Sequence, residues 1–201
     1  MPPLSREYLE AYWDDRHGKN AVGHIGEDGY RDACRAFSHV GDFTGSLEGK
    51  DVLEIGPGFG ACLNEAQARR KYAVEISGVA RARLAGQGVV CFSPYEVPKA
   101  LDVDVVYAMS VFQHVEDEML GALMDWASTA LRPAGLFFVQ FLTDEWSVKD
   151  EEALSCGRCS HTVTDLVDAG RRHGLIALRQ WSAPVAAYPV LVESCLLFVK
   201  G

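Results

Sequence analysis

The chain has 201 residues, 48% hydrophobic and 23% charged, the balance of one globular domain of ordinary size. Its formal net charge of -9 repels phosphate backbones, and "RRK" at 69–71 and "RR" at 171–172 stand apart at expected helix ends, so nucleic acid is not an expected partner. No stretch nears the ~18 apolar residues of a membrane span, and the first residues lack a signal peptide's apolar core. The expectation is a cytoplasmic protein with reduced thiols and no membrane partner.

In chain order, residues 1–45 read as an N-terminal helical cap. "SREYLEAYWDD" places Tyr8, Leu9, Tyr12 and Trp13 on one helix face, with Ser5 as its cap. "DGYRDACRAFSHV" repeats the pattern through Tyr30, Cys34, Phe37 and Val40, after a Gly- and His-rich stretch that holds His24. From 46 to 201 the texture changes to strands alternating with helices. "DVLEIG" is a strand and "GACLNEAQARR" a helix; "YAVEI" is a strand and "GVARARLAG" a helix; "GVVCF" is a strand. "VDVVYAMS" is a strand before a long amphipathic helix, "EDEMLGALMDWASTALR", which Pro133 follows. "GLFFVQFL" is a strand, "TVTDLVDAGRRHG" a capped helix closed by Gly174, and "LIALRQW" and "VESCLLFVK" are the last two strands.

Near-continuous apolar strands, each followed by a helix, mean a parallel sheet covered on both faces. Only "SAPVAAYPVL" separates the last two strands, too little for a parallel crossover. The fold class is therefore α/β, a Rossmann-like doubly wound sheet of seven strands, six parallel and one antiparallel.

Three glycines in five positions, Gly56, Gly58 and Gly60, stand where the first strand ends. Glycine costs backbone entropy, so the cluster needs a reason. At the carboxyl end of a parallel strand, the first glycine permits a tight turn, the second a close ligand approach, and the third a helix start near the sheet. Two ligand classes fit. Gly56, Gly58 and Ala61 match G-x-G-x-x-A, a dinucleotide fingerprint. Glu54 with the three glycines matches E-x-G-x-G-x-G, a pattern of S-adenosylmethionine sites. Glu75, 19 residues after Gly56, suits a ribose-gripping acid in either case.

Three features favour the second class. Glu54 stands where an acid would face a charged amino group, which a dinucleotide lacks. The reversed final strand is another, and "VDVVYAMSVFQHVEDE" followed by "ALRPAGLFFVQ" is the third. Here the chain resembles class I S-adenosylmethionine-dependent methyltransferases, specifically small-molecule enzymes of bacterial type, over roughly residues 50–200. "VLEIGPGFG" is similar to the family's first motif, "AVEIS" to its second and "AMSVFQHV" to its fourth.

The resemblance implies S-adenosylmethionine as cofactor, S-adenosylhomocysteine as product and a small-molecule acceptor. It implies that Glu54 binds the methionine amino group, that Gly56, Pro57 and Gly58 lie against the methionine and ribose, and that Glu75 holds the ribose. Ile76 would pack on adenine, and Met109 and Ser110 would line the methionyl side through their backbone. Members often carry an acid after the third strand for the adenine amino group. This chain has Ser93 there, and Tyr95 beside it to cover the ring. Apart from the resemblance, Tyr12 and Trp13 of the cap are candidates to lie on the cofactor, against a buried helix face shared with Tyr8 and Leu9.

Methyl transfer is an in-line displacement in which alignment contributes most, and a base matters when the acceptor must lose a proton early. His114, after the fourth strand, is the first candidate base, against a structural role at the following helix start. His24 is the second, against an ordinary loop histidine. "CGRC" at 156–159 reads as a plain loop rather than half a zinc site, with no second pair and His161 too near, so no metal is expected. "YEVPK" matches the Tyr-x-x-x-Lys of short-chain dehydrogenases, but Pro98 denies it the helix that pair needs. The end of the fourth strand lacks the Asn/Asp-Pro-Pro-Tyr/Phe of amino-group DNA methyltransferases. Acceptor choice should come from 1–45, 143–161 and 182–191, with Trp146, Trp181 and Tyr188 lining a pocket or filling core. The rival readings are an NAD(P)-dependent oxidoreductase and a binding module that has lost turnover.

Overall fold

The computed structural model describes residues 5–19, 39–96, 101–144, 161–185 and 188–201. Among them are seven strands and five α-helices that lie wholly within the described residues, an α/β fold with a mixed seven-stranded sheet. The chain divides into two compact units, residues 1–98 and 99–201.

In the first unit, β1 (Asp51–Ile55), β2 (Arg70–Val74) and β3 (Val90–Phe92) lie parallel in the order β3-β2-β1. Every residue of β1 is buried, Asp51 and Glu54 included, as in a strand covered on both faces. α1 (Arg6–Gly18) starts at Ser5, whose side chain accepts from the Tyr8 N–H. The helix runs past the expected end at Asp15; Leu9, Tyr12 and Trp13 of the expected face are half-buried, but Tyr8 is 54% exposed, and His17, one turn further on, is the residue the helix buries. The expected second cap helix falls mostly outside the described residues, its last turn being helical over 39–44.

α2 (Ala61–Glu65) is far shorter than the helix expected through Arg70. The reason is tertiary. Arg69 reaches the buried Asp51 with Nε at 2.9 Å and Nη2 at 2.6 Å, and Arg70 also pairs with that carboxylate. The Arg69 N–H donates to the Lys50 carbonyl at 2.8 Å, which turns the chain into β2 at once. The two arginines hold the Asp51 carboxyl well below the usual carboxylate range. α3 (Gly78–Gly86) then returns to β3, capped by Ser77.

In the second unit, β4 (Val103–Met109), β5 (Leu131–Asp144), β7 (Tyr188–Lys200) and β6 (Leu175–Val185) follow in that order. β4 and β5 are parallel, and β7 runs antiparallel to both neighbours, so β7 alone is reversed in this unit. α4 (Asp117–Ala130) buries Leu120, Leu123, Met124 and Ala127 as its periodicity predicts. α5 (Val163–Arg172) opens with a capping box between Thr162 and Asp165. The stretch 182–191, expected to be an insertion that governs acceptor choice, is instead mostly strand, since β6 runs to Val185 and β7 starts at Tyr188. Consecutive antiparallel strands need only a hairpin between them, which leaves little chain for a lid.

Cys195, on β7, is fully buried, and burial pushes its thiol up to about 12. In native protein treated with iodoacetamide at pH 8, Cys195 is expected to stay unmodified until denaturant is added, because only the thiolate reacts. Peptide mass spectrometry reads the result, and rapid native labelling of Cys195 would contradict its buried place.

Candidate functional site

The first unit carries the glycine loop. Gly56, Gly58 and Gly60 all have positive φ, at 67°, 54° and 81°. The Gly56 N–H donates to the Val74 carbonyl at 2.8 Å, and the Gly60 N–H to the Pro57 carbonyl at 2.8 Å. Gly60 caps α2, and a Cβ there would stand 2.6 Å from Cδ2 of Leu84 on α3. The third glycine thus lets a neighbouring helix approach, besides letting its own begin.

Glu75 follows β2 and is 4% exposed. Its carboxylate accepts the Gly58 N–H at 2.9 Å and the Ser77 N–H at 2.8 Å, so it ties the glycine loop to the start of α3. Burial pushes its carboxyl above the usual range, against the Ser77 N–H, the nearby His17 and the Gly58 N–H, which act the other way. Each carboxylate oxygen takes about two hydrogen bonds, so acceptor capacity is left for a ligand even with the Ile76 N–H also favouring the charged form. Glu54 is buried within β1, and Pro57 is buried in the loop; Ile76 is half-buried. Ser93 is buried after β3 and accepts the Tyr95 N–H at 3.4 Å. The Arg6 guanidinium lies over the Tyr95 ring, 4.3 Å from its centroid. Tyr12 accepts from Arg16 at 2.6 Å and meets Trp13 edge-on.

Two residues that sequence reasoning does not single out join this group. Asp14 accepts from the Ser77 hydroxyl at 2.7 Å and from the Val79 N–H at 3.2 Å, an acid at a helix N-terminus supplied by another helix. His17 is 6% exposed, with its ring 5.0 Å from that of Phe59 in the glycine loop. Their spacing of three, about one turn of a helix, is the available signal, but a helix expected to end at Asp15 does not reach His17.

In the second unit, Met109 is buried at the end of β4, and Ser110 follows with φ 55°, a conformation serine rarely adopts. Gln140 on β5 holds it there. The Gln140 Oε1 accepts the Ser110 N–H at 2.8 Å and the Ser110 hydroxyl at 3.0 Å, and its Nε2 donates to Glu193 on β7 at 2.9 Å. Neither Gln140 nor Glu193 stands out in the sequence. His114 ends a short 3-10 turn, Phe112–His114, ahead of α4. His161 is buried, its Nε2 2.5 Å from the Val115 carbonyl, which gives it a structural partner. Trp181 is 37% exposed on β6. His24, Trp146 and the Cys156/Cys159 pair lie outside the described residues, as does the side chain of Tyr188. Among the described residues no helix is long and apolar enough to cross a membrane, and no cluster of ligands could hold a metal ion.

The profile of a family described as "Methyltransferase domain" matches residues 26–186. No curated protein matches the sequence significantly. Among solved structures, magnesium protoporphyrin IX methyltransferase from Synechocystis, with bound SAH, is similar with a TM-score of 0.72 at 14% identity, over 98% of this chain and 100% of that one. Geranyl diphosphate C-methyltransferase from Streptomyces coelicolor, in complex with Mg2+, geranyl diphosphate and S-adenosyl-L-homocysteine, gives 0.71 at 12%, over 100% of both chains. A Haloferax volcanii complex with the Trm112 methyltransferase activator gives 0.71 at 15%, over 94% of this chain and 97% of that one. At these identities the likeness speaks to fold alone.

Proposed function

The chain belongs to the methyltransferase domain family, and on that premise we propose that it moves a methyl group from S-adenosylmethionine to a small-molecule acceptor, at oxygen or nitrogen. The observation that carries this is Glu75: a buried carboxylate, fastened by two backbone N–H groups beside a glycine loop, with lone pairs to spare. A ribose diol supplies the donors such an acceptor lacks. Bound there, S-adenosylmethionine supplies an electrophilic methyl on a sulfonium.

The residues divide the work as the family resemblance implies. Glu75 orients the ribose, and the backbone of Gly56, Pro57 and Gly58 gives close approach without a Cβ at the two glycines. Half-buried Ile76 offers an apolar face to adenine, with Ser93 and Tyr95 at its edge. Glu54 takes the amino group, and Met109 and Ser110 the methionyl side. Residues 1–45 act as a cap, with Tyr12 on the cofactor and His24 as the second candidate base. His114 is the assigned base, needed only if the acceptor must shed a proton. A small molecule suits a chain of net charge -9 better than a phosphate polymer does.

Thermal denaturation with added ligands tests the reading. A ligand present at about 100 times its Kd stabilises by ~2.7 kcal/mol, which raises Tm by several degrees. S-adenosylhomocysteine is expected to give that rise, and NAD(P) none; the reverse pattern makes the protein an oxidoreductase. Binding without turnover over a broad acceptor panel would point to the inactive module. For His114→Ala we expect turnover to fall about 100-fold with cofactor affinity unchanged, the size of a lost general base. A normal rate would return His114 to a structural role.

A further inference from the structure

We propose that His17 is a cofactor-binding residue, its imidazole donating a hydrogen bond to a ribose hydroxyl whose own proton goes to Glu75. The inference rests on the S-adenosylmethionine reading above and deepens its ribose end.

His17 sits in the last turn of α1, over the glycine loop. A Cβ on Gly58 would stand 3.4 Å from its Nε2, and its ring lies 5.0 Å from that of Phe59 and 6.0 Å from that of Trp13. An aromatic ring of any kind would fill that space. The imidazole instead leaves Nδ1 buried and, among the described residues, without a hydrogen-bond partner. Buried polar atoms are nearly always paired, and one left over among the described residues is a place for a ligand's acceptor.

The helix carrying His17 is held in place. Asp14 binds Ser77 and Val79 at the start of α3, and Arg6 lies over Tyr95 beyond β3. α1 is therefore fastened across the chain segments that follow β2 and β3, and His17 places it on the one that follows β1. Glu75 lies within electrostatic reach of the same ring. The pair suits one kind of ligand, since it sets a carboxylate with acceptor capacity to spare near an imidazole whose Nδ1, in the tautomer that protonates it, is a donor with no partner among the described residues. A vicinal diol satisfies both at once, because each hydroxyl donates to the carboxylate while its oxygen still accepts. A phosphate or an amino group satisfies only one of them.

Isothermal titration of the full chain with S-adenosylhomocysteine and its 2′-deoxy and 3′-deoxy analogues tests the assignment. His17→Phe keeps the ring and removes both nitrogens. It should bind S-adenosylhomocysteine about 10-fold more weakly, the size of one buried hydrogen bond. That penalty should vanish for one of the two deoxy analogues. His17→Asn or His17→Gln, which return a donor near Nδ1 or Nε2, should restore affinity to within about threefold. Unchanged affinity in His17→Phe overturns the inference alone, as does an equal penalty on both analogues or failure of both amide variants to rescue. Should His17→Phe not fold, His17→Ala is titrated in its place against the same criteria. Wild-type protein that binds no S-adenosylhomocysteine overturns the cofactor reading and this inference with it.

Discussion

Glu75→Gln is expected to weaken S-adenosylhomocysteine binding about 100-fold or more while leaving a folded protein. The carboxylate presents acceptors only, and two are already taken by the Gly58 and Ser77 N–H groups. Glutamine must turn its amide donor toward one of those N–H groups, so one contact becomes donor against donor. The ribose then loses charge-assisted bonds worth ~1.5–3 kcal/mol each, and two of them exceed a factor of 100. Activity at saturating acceptor should fall with affinity. Calorimetric titration reads the loss, and a wild-type Kd in the variant would remove Glu75 from the ribose.

The same carboxylate makes a pH prediction with a definite sign. Burial raises the Glu75 pKa in the ligand-free fold above its unfolded value. Its contribution to stability is therefore fullest below the unfolded pKa and is lost as pH rises through the folded one. The cofactor's hydroxyls need the ionised form. Affinity should accordingly weaken as pH falls through the raised pKa, and the ligand-induced rise in Tm should shrink with it.

Gly60→Ala is the second large expectation, and it concerns stability. At φ 81° an alanine costs ~1–2 kcal/mol in backbone conformation. Its Cβ would also meet Cδ2 of Leu84 at 2.6 Å, and Leu84 is fully buried, so α3 must shift or strain by a further ~1–3 kcal/mol. The sum is ~2–5 kcal/mol, which at ~2–4 °C per kcal/mol lowers Tm by roughly 4–20 °C in a protein of this size. Gly58→Ala is the control. Its added Cβ makes only ordinary contact with His17, so it should cost stability less and cofactor affinity more. Equal Tm values for the two variants would refute the separate reasons assigned to the two glycines.

The parallel strands and their helices are legible in the sequence because each is a short apolar run with period-specific neighbours. β1 and α4 match the expectation almost residue for residue. The glycine loop and Glu75 are legible as spacing alone. What escapes depends on pairing between distant residues. α2 ends early because Arg69 and Arg70 clamp Asp51, and no local pattern carries that. β6 and β7 take up most of the expected insertion at 182–191 because antiparallel neighbours extend one another. Asp14 and His17 read as ordinary polar positions until α1 is placed. Gln140 matters only once Ser110 and Glu193 stand beside it.

The Asp14 carboxylate has a practical consequence for anyone trimming this protein to a minimal sheet. Removing everything ahead of Asp51 would take away the anion that seats the amino end of α3, and with it the roof over Gly58 and Glu75. Such a fragment could keep its strands and pass for intact by circular dichroism. Its failure to retain a nucleoside would then be an artefact of the shortening and would say nothing about the whole molecule.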